Sequence, residues 1–191
     1  MYYSETGDAP RAGQLEEQYR AAAWEKAKTN PKIAFDYAKI LLQHGEFTAA
    51  ADVTTAALEA HPNDAQLVLT LGVARYTQRR FEDSIVAFLN VIQLDPRIEQ
   101  PYVFLGKMLD QAGDHLSAIT KAYEAWLSSE PQNGLAPLLL AKALLAGDSK
   151  DAQAEGLLRR SIALDATIGN LITNWAFSSR ASGSSKKRRR N

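Results

Sequence analysis

Residues 71–96 read LGVARYTQRRFEDSIVAFLNVIQLDP. Apolar residues recur at three- and four-residue steps on both sides of a charged hinge, the period of an amphipathic helix. Two details need a cause. Gly72 sits inside the first helical run, where glycine costs about 1 kcal/mol relative to alanine, so a packing reason is required. The second run stops at Asp95-Pro96, and proline cannot continue a helix.

Both details recur along the chain. Pro62 and Pro96 are 34 residues apart, Pro96 and Pro131 are 35, and a further 35 lands on Ala166 in ALDATI. Each mark closes an amphipathic run, and Asn or Asp beside it is placed to cap the helix that follows. Within each period a polar or glycine-containing turn separates two helical segments: QHGEF (43–47), TQRRF (77–81), QAGDH (111–115) and AGDSKDA (146–152). No window alternates as a strand would. The pattern predicts ten helices, at about 12–28, 32–44, 47–60, 65–78, 81–94, 99–112, 115–128, 135–146, 151–164 and 167–180.

On these residues the chain resembles the tetratricopeptide repeat family, a 34-residue helix-turn-helix unit with a Trp, Leu-Gly, Tyr, Ala, Phe, Pro skeleton. Residues 65–98 match at Leu71-Gly72, Phe88 and Pro96, and depart at Val68, Arg75 and Ser84. Residues 99–133 match at Tyr102, Leu105-Gly106, Gly113, Ala118, Ala125 and Pro131, with one residue inserted near the end of the repeat. Residues 31–64 match at Ala38, Gly45, Ala50, Ala57 and Pro62. A fourth unit, 134–167, is more degenerate and keeps Ala141 and Ala154.

The resemblance implies an all-α, right-handed superhelical α-solenoid of antiparallel helix pairs. The expected organisation is a flexible N-terminus (1–11), a repeat domain (12–180) with flanking helices at 12–28 and 167–180, and a basic flexible tail (181–191). Gly72, Gly106, Ala38 and Ala141 would mark close approach on the leading helices, and Ala50, Ser84, Ala118 and Ala154 on the trailing ones. The replacement of a turn glycine by Arg79 points to a stiffer or differently angled turn.

Composition narrows the chemistry. The 191 residues include no cysteine, which removes disulfides, thiolate metal sites and cysteine nucleophiles. Formal charge is zero, but six of the 22 basic residues lie at 180–190, beyond the last acid, Asp165. The remainder is therefore a mildly acidic body. No signal peptide or membrane-length apolar run is present, so the expected location is the cytoplasm. His44, His61 and His115 form no ligand pair and read as solvated or capping residues. No phosphate loop or convergent acid, base and nucleophile appears. The expectation is a non-enzyme with no cofactor, no metal and no small-molecule substrate.

Binding is the remaining role. In this architecture the leading helix of each pair lines the groove. The Leu-Gly register places Phe35, Lys39, Leu69, Val73, Tyr76, Val103, Phe104, Lys107 and Lys142 there, along with Lys32, Asp36, Thr70, Leu138 and Leu139. Asn170, Thr173 and Asn174 add to it from the last helix. The surface is apolar and aromatic with several lysines, fitted to a peptide or helix of another protein with apolar anchors. The family's chaperone-tail subset grips a terminal carboxylate with Lys, Asn and Arg at set positions. Phe35, Lys39, Thr70, Gln100 and Phe104 stand there instead, so that activity is not expected. The tail residues Lys186, Lys187, Arg188, Arg189 and Arg190 are open to three readings: contact with nucleic acid or anionic membrane, an import-like cluster, or a solubilising end.

Overall fold

The computed structural model describes residues 9–147 and 151–168, and the side chains of 13–147 and 152–168. All regular structure among them is helical. The helices are α1 (Ala9–Lys26), α2 (Pro31–Gln43), α3 (Phe47–Ala60), α4 (Ala65–Thr77), α5 (Phe81–Leu94), α6 (Gln100–Lys107), α7 (Leu116–Ser129), α8 (Leu135–Ala146) and α9 (Asp151–Leu164). Among the described residues no helix is long and apolar enough to cross a membrane. The chain divides into two compact units, one ending at Ala112 and one beginning at Gly113.

The leading helices start where the Asx residues say they should. Asn30 Oδ1 accepts from the backbone N–H groups of Lys32 and Ile33, at 3.0 and 3.3 Å. Asp64 Oδ1 accepts from Gln66 and Leu67 at 2.9 and 3.0 Å, and Asn133 Oδ1 from Leu135 and Ala136 at 2.9 and 3.3 Å. Each side chain satisfies donors that a helix start otherwise leaves unpaired. The α6 start differs: its N-cap is Glu99, and Asp95, at the C-cap of α5, accepts from the N–H and guanidinium of Arg97.

In the first unit, α2 packs with α3 and α4 with α5, α3 and α4 meet across the repeat boundary, and α1 lies on α2. The core between α2, α3 and α4 is rich in small side chains: Ala34, Ala38, Ala50, Ala51, Ala57 and Ala74 are buried with Trp24, Leu41, Val53 and Leu67. Small residues let the helix axes approach closely. The tightest point is Gly72. A Cβ there would lie 2.8 Å from Phe88 Cε1, so the ring occupies the space a side chain would need. The buried Ser84 hydroxyl donates to the Gly72 carbonyl at 2.9 Å and ties α5 to the same turn of α4.

The turn at Arg79 is not differently angled. Arg79 has φ +61°, in the left-handed region occupied by Gly45 (+83°) and Gly113 (+49°). Its closing bonds repeat those of the glycine turn. Arg80 N–H donates to Arg75 O at 2.9 Å, as Glu46 N–H donates to Leu41 O at 2.8 Å. This is the six-to-one bond that closes a helix through a left-handed residue. Arginine has taken the glycine conformation rather than changed the turn.

The third repeat corrects the expected register. From Ala38 to Ala50 and from Gly72 to Ser84 is 12 residues, and from Gly106 to Ile119 it is 13. Ile119, not Ala118, is buried at the small-residue position, and Trp126, not Ala125, two helical turns further on. Ala118 and Ala125 are exposed. The extra residue lies in the turn, not near the end of the repeat. Helix α6 therefore ends at Lys107 rather than 112, and 3₁₀ turns at Leu109–Gln111 and Gly113–His115 follow. Bonds to the third preceding residue, such as Gln111 N–H to Met108 O at 2.8 Å, take up the slack. They leave Met108 and Ala112 buried.

In the second unit α8 packs between α7 and α9. Helix α8 is apolar on nearly every side, with Leu138, Leu139, Leu140, Ala141, Ala143 and Leu144 buried. Ser161 donates to Gly134 O at 2.7 Å and Arg160 to Pro131 O at 2.8 Å, fixing α9 to the start of α8. The tenth helix expected at 167–180 lies almost wholly outside the described residues.

Two stability predictions follow from these contacts. Gly72→Ala should destabilise by about 1–2 kcal/mol in urea unfolding, because overpacking against Phe88 exceeds the gain in helix propensity. Adding Phe88→Leu should recover part of that loss. Arg79→Gly should stabilise by about 0.5–1 kcal/mol, since it removes left-handed strain at the cost of some unfolded-state entropy.

Candidate peptide-binding face

The expected groove residues of the first unit occupy one face of each leading helix. Phe35 and Lys39 lie on α2, Leu69, Val73 and Tyr76 on α4, and Val103, Phe104 and Lys107 on α6. Phe35, Leu69, Val73, Tyr76, Val103 and Phe104 are half-buried, whereas Lys39 and Lys107 are exposed. Half-burial at apolar residues means one side supports the core while the other meets solvent. Phe35 packs on the alanine-rich core. Leu69 packs on Val68, Ala87 and Val91.

The closest association is aromatic. The Tyr76 and Phe104 rings meet edge to face at 5.1 Å. Phe104 stacks on Phe88 at 4.9 Å with an interplanar angle of 17°. Tyr76 also meets Phe81 at 5.9 Å. These are favoured ring geometries. Lys107 Nζ stands 4.9 Å from the Phe104 ring centre, within cation–π range. Residues from α4, α5 and α6 thus converge on one platform with a cation beside it.

Other residues fall differently. Thr70 is buried, and its hydroxyl donates to Gln66 O at 2.7 Å, so it belongs to α4 rather than to an open face. Leu138 and Leu139 are buried within the second unit. Lys142 lies on α8 in that unit, half-buried, and desolvation lowers its amine pKa below the ordinary lysine value. Asn170, Thr173 and Asn174, and the tail residues Lys186, Lys187, Arg188, Arg189 and Arg190, lie outside the described residues.

Sequence reading missed three contributors. Phe88 was legible as a repeat-skeleton residue and Phe81 only as the end of a turn, but their support of Tyr76 and Phe104 depends on ring orientation. Arg20 gave no signal at all. It reaches from α1 to Asp36 on α2, with Nη1 2.9 Å from Oδ2, and neutralises the carboxylate on that face. Helix α1 is also held by Glu17, whose carboxylate lies 2.6 Å from Nδ1 of His44 at the end of α2. His61 Nε2 lies 2.6 Å from the carbonyl of Thr29. Two of the histidines thus tie helix ends together. Among the described residues no group of three or more His, Asp or Glu is placed to hold a metal ion.

The platform sets an expected contrast. Phe104→Ala removes two ring contacts and should cost about 1–3 kcal/mol of unfolding free energy. Lys107→Ala removes an exposed cation and should cost no more than about 0.5–1 kcal/mol. Parallel denaturation curves measure both.

Residues 35–101 match the family described as Tetratricopeptide repeat. No curated protein matches the chain in sequence. Among solved structures, MamA is similar at 18% identity with a TM-score of 0.67, covering 88% of this chain and 95% of its own. A MamA fragment from Desulfovibrio magneticus RS-1, residue 41 to the end, is 18% identical with a TM-score of 0.58, covering 71% of this chain and 75% of its own. YrrB, described as a TPR protein with an unusual peptide-binding site, is 15% identical with a TM-score of 0.65, covering 86% of this chain and 81% of its own. At such identities the likeness concerns the fold. The register of small residues, the tetratricopeptide repeat match over 35–101 and the likeness to MamA and YrrB agree on an all-α fold of tetratricopeptide-like helix pairs.

Proposed function

We propose that the chain is a non-catalytic protein-interaction module, and that the leading-helix face of its first unit receives a peptide or helix of another protein. The observation that carries this reading is the Tyr76–Phe104–Phe88 ring platform with Lys107 beside it. The half-buried rings of Tyr76 and Phe104, backed by the buried Phe88, lose little conformational freedom when covered, which favours them as anchors for a partner. Phe35, Leu69, Val73 and Val103 extend the same half-buried character over α2, α4 and α6, giving room for several side chains of an extended or helical guest. YrrB, a TPR protein with an unusual peptide-binding site, supports this reading by analogy of fold.

The test is capture of partners from the native host with the unaltered chain, Tyr76→Ala and Phe104→Ala, after circular dichroism has shown each variant to be folded. Loss of a central anchor should reduce partner recovery about tenfold or more. Unchanged recovery with both folded variants removes the assignment of this face.

A further inference from the structure

The charges of the first unit are sorted by helix. Its leading helices α2, α4 and α6 carry Lys32, Lys39, Arg75 and Lys107 against a single acid, Asp36. Asp36 is already engaged by Arg20 from α1. The trailing helices α3 and α5 carry Asp52, Glu59, Glu82 and Asp83 and no lysine or arginine. The sorting does not follow from the fold, since buried alanines and rings set the packing and all four trailing acids are exposed.

One leading-helix cation, Lys107, stands beside the ring platform, and two more share a side of α2 with Phe35. Lys32 and Lys39 are exposed on the Phe35 side of α2, and Lys107 is exposed beside Phe104. Among the described residues none of the three has a carboxylate within ion-pair distance. Arg75 differs, because its guanidinium donates to Gln78 Oε1 at 3.0 Å and turns toward the end of α4. The leading helices of the first unit thus present uncompensated positive charge, and their one carboxylate, Asp36, is cancelled from α1. Such a surface attracts anionic partners and repels cationic ones before any contact forms.

We propose that the occupant of this face is an acidic segment of another protein, with carboxylates meeting Lys32, Lys39 and Lys107 and an apolar side chain seated on Tyr76 and Phe104. The proposal rests on the groove reading above and adds the sign of the guest's charge. Salt should weaken the complex, because exposed ion pairs are screened. The rings give the guest its position, and the lysines select against neutral and basic competitors.

The experiment pans a phage library of random dodecapeptides on the full chain at low ionic strength. Enriched sequences are then measured as labelled peptides by fluorescence anisotropy. The expected result is enrichment of peptides rich in Asp and Glu around an apolar residue. Their binding should weaken about tenfold or more with Lys39→Glu and Lys107→Glu combined. It should stay within about twofold when Asp52→Lys and Glu82→Lys are combined on the trailing helices. All four positions are exposed, and circular dichroism checks that each variant folds. Neutral or basic peptides that bind the parent chain and are lost in Tyr76→Ala would overturn the acidic guest and leave the groove standing. No enrichment over a blank surface would overturn both readings. Sedimentation that shows self-association, broken by the lysine variants, would make the occupant a second copy and overturn the proposal.

Discussion

The first unit depends on one close approach, that of the Phe88 ring to Gly72. Helix α5 can lie against α4 only because position 72 has no side chain, and a Cβ there would stand 2.8 Å from the ring. The Ser84 hydroxyl adds a directed bond to the same residue, at the Gly72 carbonyl. Dispersion alone would tolerate some sliding of one helix over the other. A buried hydroxyl that needs its acceptor does not. Glycine and serine together set both the depth and the register of the α4–α5 pair.

The same ring connects packing to the candidate site. One side of Phe88 fills the space at Gly72, and the ring also stacks with Phe104 of the next repeat. Phe104 in turn meets Tyr76 and stands beside Lys107. A change at Gly72 would therefore be felt on the exposed face through two rings, although Gly72 is itself buried. The face is an outgrowth of the core. This explains why its aromatic residues are half-buried, and why its lysines, which support nothing beneath them, are free to carry a charge pattern.

How much of this was legible in the chain can be argued residue by residue. Proline spacing and Asx caps define the helix pairs because each acts locally: proline removes a donor, and Asn30, Asp64 and Asn133 supply an acceptor. The extra residue of the third repeat was misplaced because Ala118 and Ala125 are small and correctly spaced from each other. Only the buried state of Ile119 and Trp126 shows that the helix is turned by one position. Arg79 misled for the opposite reason. Its residue type argues against a left-handed turn, yet the six-to-one bond from Arg80 to Arg75 imposes one. The Arg20–Asp36 pair spans 16 residues between two helices and leaves no periodic trace. The location of the binding face remains a reading of surface character rather than of a motif.

Identities of 15–18% with structures of the same fold show that very different sequences satisfy it. The fold needs small residues at crossing points, apolar stripes and left-handed turn closures, and many sequences satisfy those terms. It places no demand on the solvent side of the leading helices beyond helix propensity. A residue such as Lys39 is exposed, makes no ion pair among the described residues and caps nothing. Its cost to stability is therefore near zero, and its charge can be set by a partner alone. The informative positions for recognition are those the fold leaves unconstrained. In this chain they are basic on the leading helices α2, α4 and α6 and acidic on the trailing helices α3 and α5.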